Sequence, residues 1–450
     1  MIDYTFYSDL ILGILLYFIL GFYYVAYSFK EFKFIVFFQI VFLFFLLLTT
    51  HFYAFSNFTT YPGLGADSMN YDIWSKYLSE QFKLGIFDLD LSNIKSMSMI
   101  EYNQNADVKL VSYIPFGFVL PLSFIYFIFG YLPFFAKVFN VFLFVATSKL
   151  FYLFLNEILE DKKSIKITFI LFAFCFPLLI SSVSFTKEIV FMYGFIGLIR
   201  YTYTNRFIKA IPFFTLAVLV RPYTPILYIL VFALFNRDLI SKNKFSSLLS
   251  LFVFLLFFSF FNFQTFNIFG FILETNFAVY FNPFDTNQVI YVKGVAGLIK
   301  LIFSSPFTFL EFIVNALITA LTKPDFWHLP NLTYSNIYLN AGKIDFSSFF
   351  YYLHSFSLLY INFFIVKFFI YRKYISKNFV SFEIISFLFI VLGIIFLVSL
   401  ELRYIIMSTY PILLILFSKI KTELSFYKNK SSLIIYILSI IFLMVFPIFI

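Results

Sequence analysis

Four groups of ionisable residues stand where apolar runs break, and their types suit chemistry on a phosphate-linked substrate. The first is Asp67 in YPGLGADSMNYDIW, followed by Tyr71, Asp72 and Trp74; Lys187-Glu188 interrupts LLISSVSFTKEIVF; Arg221 interrupts AIPFFTLAVLVRPYTPILYILVFALF; and Glu401 and Arg403 open ELRYIIMSTYP, just before Tyr404. A guanidinium fork binds phosphate oxygens in bidentate fashion, and an ammonium acts as a point charge. One carboxylate facing several cations therefore suits a group transfer. Asp67 would orient or deprotonate an acceptor hydroxyl while Lys187, Arg221 and Arg403 stabilise a departing phosphate. Each group also has a plainer reading. Asp67 can cap a helix, Lys187-Glu188 and Glu401/Arg403 can be paired turns at the membrane interface, and Arg221 can snorkel from a shallow turn.

The elements that must position these residues follow from composition. Of 450 residues 62% are hydrophobic and 12% charged, with a mean hydropathy of +0.93. That excludes a water-soluble globular protein. The apolar excess fills about a dozen spans of roughly 20 residues, the length that crosses a ~30 Å hydrocarbon core. The expectation is an all-α polytopic membrane protein of about 12 transmembrane segments. The 77 Phe and 33 Tyr are read as codon drift in an AT-rich gene and not as a stacking signal. The net charge of +9 belongs to loops beside spans, so no nucleic-acid partner is expected. One cysteine, Cys175, and three separated histidines, His51, His328 and His354, give neither a disulfide nor a metal-binding spacing, and no metal or cofactor is expected. The N-terminal run has no basic leader or small-residue cleavage pattern and reads as a retained span.

Lys and Arg near span ends mark the cytoplasmic side. Spans at about 9 to 29 and 34 to 55 flank Lys30 and Lys33. Everything from about 57 to 133, before the EDKKSIK cluster, then falls outside. Parity makes 111 to 132, broken by Pro115 and Pro121, a helix on the outer interface and not a crossing. Spans at about 134 to 156, 167 to 185 and 189 to 204 follow. The stretch from 210 to 235 has basic residues at both ends, so it is a short hairpin turning at Arg221-Pro222, which leaves Arg221 at membrane depth. A span at about 245 to 262, a second external region at about 263 to 346 with an interfacial helix, and spans at 347 to 370, 379 to 400, 404 to 418 and 432 to 450 complete one membrane domain, 1 to 450.

The order of these phrases resembles the GT-C superfamily of membrane glycosyltransferases and, within that sphere, bacterial O-antigen and capsule polymerases of the Wzy type. GADSMNY resembles the acidic first-loop motif with a tyrosine shortly after it. IFGYLPFFAKVFN resembles the end of the interfacial helix and the span that follows, SFTKE the phrase at the next external hairpin, LVRPY the arginine-proline hairpin, and ELRYIIMSTYPILLIL the run near many C-termini. The chain has one acid, Asp67, where many relatives of that kind have two adjacent, and no soluble C-terminal domain. The resemblance implies a multi-pass protein of the bacterial inner membrane that joins undecaprenyl-pyrophosphate-linked repeat units on the periplasmic side. Asp67, Arg221 and Arg403 would be catalytic, with Tyr71 and Tyr404 lining the pocket and Glu188 holding Lys187. The implied partners are lipid-linked oligosaccharides, the bilayer and a chain-length regulator. A GT-C transferase using a polyprenyl-phosphate sugar is the nearest alternative. A flippase or transporter is the alternative of another class. It is disfavoured because a transporter built from inverted repeats has paired broken helices, and only the break at Arg221-Pro222 is visible in the sequence.

Overall fold

The computed structural model describes residues 4–27, 32–57, 66–87, 114–184, 186–221, 276–282 and 285–293, with isolated positions at 303, 304, 306, 307, 363, 410, 411, 414, 415, 417, 418 and 434. Among the described residues three helices are long and apolar enough to cross a bilayer: α1 (Tyr4–Ala26), α2 (Lys33–Asn57) and, numbered below in chain order, α5 (Pro133–Ile158). They have no interior proline and few charges, and their best windows have mean hydropathies of 2.0, 2.3 and 1.9. Burial separates their roles. The α5 window is 72% buried and the α1 window 22%, so α5 is the pillar of the bundle and α1 lies at its edge.

Between α2 and α5 lie α3 (Ala66–Lys83) and α4 (Phe116–Phe129). At 14 residues and ~1.5 Å per residue, α4 reaches about 21 Å, short of a crossing. Pro121 lies inside it, on an exposed position.

After α5 come α6 (Lys162–Ala173) and α7 (Phe176–Val183), which together would make a fourth span but are bent by 49°. The expected span at 167 to 185 is therefore two helices meeting at a bend, the geometry of a broken span or of a re-entrant loop. Pro177 in the first turn of α7 has no amide to continue α6, and Cys175 is extended. The break leaves carbonyls that other helices satisfy. Gln39 of α2 donates to Ala173 O at 3.1 Å and to Ser148 Oγ at 2.9 Å, and Tyr410 donates to Leu171 O at 3.3 Å. Asn140 of α5 donates to the carbonyls of Ser182 and Ser184 at the other end of α7.

The helical hairpin α8 (Glu188–Tyr203) and α9 (Phe207–Val220) completes the described bundle, its turn made by Asn205 at φ 56°. Two ends are thereby defined. Glu157 at the end of α5 takes a forked bond from Arg200 at the end of α8, 2.7 Å from Nη2 and 3.0 Å from Nε. The turns bearing Lys162, Lys163, Lys166, Arg206 and Lys209 share that end. It is the basic end.

One departure from the all-α expectation stands within 263 to 346, the stretch expected to form the second external region. Strands β1 (Asn276–Asn282) and β2 (Asp285–Lys293) pair antiparallel, with Phe277 opposite Val292 and Val279 opposite Ile290 and an irregularity between Tyr280 and Asn282. Alternation of Phe277, Val279 and Phe281 before Asn282-Pro283 is a strand-and-turn pattern. The expected interfacial helix near 294 to 321 and the spans after residue 235 lie outside the described residues, apart from the isolated positions.

Candidate functional site

The α8–α9 hairpin is drawn tight by small residues. A Cβ on Gly194 would stand 2.9 Å from Phe213 O and 3.0 Å from the amide of Ala217, and one on Gly197 would meet the Phe213 ring at 2.1 Å. Small residues let helix backbones approach in a membrane, where burial alone gives little drive to associate. The closeness sets the end of α9 beside the start of α8. There Arg221 donates to the Glu188 carboxylate at 2.8 Å, with side chains 5% and 2% exposed. Glu188 lies in the first turn of α8, where a carboxylate meets unpaired amides and the positive end of the helix dipole. Arg221 is extended, at φ −139° and ψ 106°, as the residue before Pro222 must be. The first arm of the expected hairpin thus ends where the sequence places it, and the second arm lies outside the described residues.

Helix α4 seats on this hairpin and carries α3. A Cβ on Gly117 would stand 2.7 Å from Val220 and 3.0 Å from Leu216 O. Ser75 of α3 donates to Val119 O of α4 at 3.2 Å and to Tyr71 O at 2.7 Å. Tyr71 meets Phe118 edge to face at 5.5 Å, and the Lys187 ammonium lies 5.3 Å from the centre of the Tyr71 ring. Tyr71, Lys187, Glu188 and Arg221, which span 150 positions of sequence from 71 to 221, therefore gather at the end of the bundle opposite the basic turns. The sequence expectation pairs Glu188 with Lys187; in the structure the carboxylate accepts from Arg221. Asp67 is in the first turn of α3, one turn before Tyr71, and its side chain lies outside the described residues. Arg403 and Tyr404 do too.

A second polar knot, which the sequence reading missed, adjoins the first. Asp72, next to Tyr71 on α3, accepts from Tyr126 at 2.5 Å and Tyr131 at 2.7 Å, and the Lys76 ammonium sits 5.0 Å from the centre of the Tyr131 ring. Burial pushes the Asp72 carboxyl above the ordinary carboxylate range, and the two phenol donors partly offset it. Burial likewise pushes the Tyr126 phenol well up, and the charge of Asp72 adds to it. Asp9 of α1 accepts from the amides of Phe134 and Phe135 at 2.8 and 2.9 Å, capping α5 from a different helix. Lys137, wholly buried one turn further along α5, feels both Asp9 and Asp72. His51 is wedged 4.7 Å from Phe134 and 5.7 Å from Phe6. Neither of its ring nitrogens has a hydrogen-bond partner among the described residues.

The signal for Asp9 and Lys137 was the one that singled out Arg221: a charge inside an apolar run. Tyr126 and Tyr131 were hidden among 33 tyrosines. Chemically, the first group sets two cations and one acid beside an aromatic wall, all of them buried. Among the described residues no group of three or more His, Cys, Asp or Glu could hold a metal ion. No protein-family model matches the chain, and no curated protein or solved structure is significantly similar to it.

Proposed function

We propose that the chain is a membrane glycosyltransferase that joins undecaprenyl-pyrophosphate-linked oligosaccharide repeat units at the periplasmic face of the bacterial inner membrane, within a domain of about 12 spans. The observation that carries the reading is the Lys187 ammonium over the Tyr71 ring, next in sequence to the Glu188 that pairs with Arg221, at the end of the bundle away from the basic turns. In the reaction the acceptor hydroxyl oxygen attacks the anomeric carbon of the growing glycan. The bond from that carbon to the pyrophosphate oxygen breaks, and the acceptor proton passes to a carboxylate, for which Asp67 is the candidate. Charge developing on the pyrophosphate is met by Lys187 and Arg221, with Arg403 as a further candidate cation. The implied partners are the lipid-linked units and a chain-length regulator.

Two observations favour a second reading, a flippase or transporter. The bend between α6 and α7 is a broken helix beyond the one visible in sequence, and Asp9 and Lys137 are charges within spans. The lipid-linked intermediates of a strain lacking the protein decide among the readings. A single complete repeat unit on the periplasmic leaflet supports the polymerase. An incomplete unit supports a transferase of one sugar from a polyprenyl phosphate, and complete units held on the cytoplasmic leaflet support the transporter.

A further inference from the structure

The basic end of the bundle carries an opening that the transfer reading does not use. Tyr24 of α1, Phe32 and Val36 at the start of α2, Lys149 and Tyr152 of α5 and Phe169 of α6 line a narrow opening between these helices. Its walls are aromatic: Phe32 lies 4.2 Å from Tyr152 and 5.3 Å from Phe169, ring centre to ring centre. Lys149 is half-buried and lies within the α5 span. Among the described residues its ammonium has neither an ion pair nor a hydrogen bond. A cation in a span is tolerated beside water, a counter-ion or a ligand.

The level of the opening says which anion would reach it. Tyr24 stands in the last turn of α1, and Phe32 immediately precedes α2. Lys149 is nine residues from the end of α5 at Ile158, about 13 Å along the axis. α5 thus continues past this level to its bond with Arg200, and the opening lies at the level where α1 ends and α2 begins. The same end bears Lys33, Lys162, Lys163 and Lys166, and basic pockets between spans on this side suit anionic headgroups. Tyr24 and Tyr152 are amphipathic rings at interface level, and Val36 and Phe169 offer an apolar bed for a chain.

We propose that this opening binds the phosphate of an anionic membrane lipid in the leaflet at the basic end, with Lys149 as its counter-ion. The proposal does not rest on the transfer reading.

The test is native mass spectrometry of the full chain released from vesicles of equal phosphatidylglycerol and phosphatidylcholine. The wild type retains phosphatidylglycerol in preference, Lys149→Met loses that preference on the order of fivefold, and Lys149→Arg restores it. Added undecaprenyl phosphate that displaces phosphatidylglycerol from the wild type but not from Lys149→Met assigns the polyprenyl phosphate to the same opening; no displacement assigns the site to the phospholipid alone. Retention of phosphatidylglycerol by Lys149→Met at the wild-type level, or equal retention of phosphatidylcholine by the wild type, overturns the proposal. So does a Lys149→Met chain that fails to fold, because removing a charge from a span eases insertion unless that charge already has a protein partner.

Discussion

Arg221 and Glu188, 33 positions apart, hold each other at 2.8 Å with both side chains almost sealed from solvent. The pair ties the turn at the end of α9 to the first turn of α8. Breaking a buried pair by deleting one partner leaves an uncompensated charge and costs ~3 kcal/mol or more, whereas removing both costs much less. Arg221→Met alone should therefore lower the thermal unfolding midpoint in detergent more than Glu188→Gln combined with Arg221→Met does. Equal losses in the two would mean that the pair does not support the fold.

Asp72 makes stability depend on pH. Its neighbours are Tyr126 and Tyr131, Lys76 on its own helix, Lys137 on α5 and Asp9 on α1. Its carboxyl is raised in the folded chain above the reference value of 3.8. It therefore contributes stability fully below that value, and the contribution is lost as pH rises through the folded-state value. The wild-type midpoint should fall over that rise, and Asp72→Asn, which mimics the neutral acid, should flatten the fall. Parallel pH profiles for the two proteins would refute the assignment.

Asp9 acts at a distance of 125 positions as the cap of α5, accepting from Phe134 and Phe135. Asp9→Ala frees two buried amides and removes a negative charge close to Lys137. The expected loss is about 1 kcal/mol for the cap, with more from removing one of the two carboxylates that buried Lys137 feels. Asp9→Asn, which keeps an acceptor, should fall between Ala and wild type in the same unfolding measurement.

Glycines fix how closely the site's helices approach. Gly194→Ala places a methyl against backbone atoms of Phe213 and Ala217, and Gly117→Ala places one against Leu216 O and Val220. Each should cost about 1–3 kcal/mol. Gly85→Ala meets nothing within 4 Å and has its own cost, because φ is +75° there. A disulfide between cysteines placed on facing turns of α8 and α9 would form more slowly in Gly194→Ala if the helices part.

The long apolar helices were legible in sequence because length and hydropathy alone define them: α1, α2 and α5 begin and end within a few residues of the expected spans. Arg221 was legible as the end of an arm because proline acts on its own neighbour. The bend at Cys175 was not, since Pro177 sits in a run whose average hydropathy hides it. Nor was the strand pair at 276–293, whose short alternating pattern is weak beside a chain so rich in phenylalanine. The expectation that Glu188 holds its neighbour Lys187 rests on adjacency alone, and the partner seen for the carboxylate is Arg221. Helix geometry and the close α8–α9 contact turn Glu188 to Arg221, while Lys187 lies over Tyr71. Asp9 and Lys137 were visible as charges in apolar runs, but their meeting depends on which helices pack together, and no local pattern records that.

The central claim is that cations at this end of the bundle meet the leaving pyrophosphate, and Lys187 tests it most directly because it can be neutralised without breaking the Arg221–Glu188 pair. The measurement is polymer formation by the purified chain in vesicles supplied with a lipid-pyrophosphate-linked repeat unit, wild type against Lys187→Gln at matched unfolding midpoints. The account predicts a loss of at least about tenfold, as expected for one charge-assisted bond worth ~1.5–3 kcal/mol. Polymer made at the wild-type rate by Lys187→Gln would contradict it.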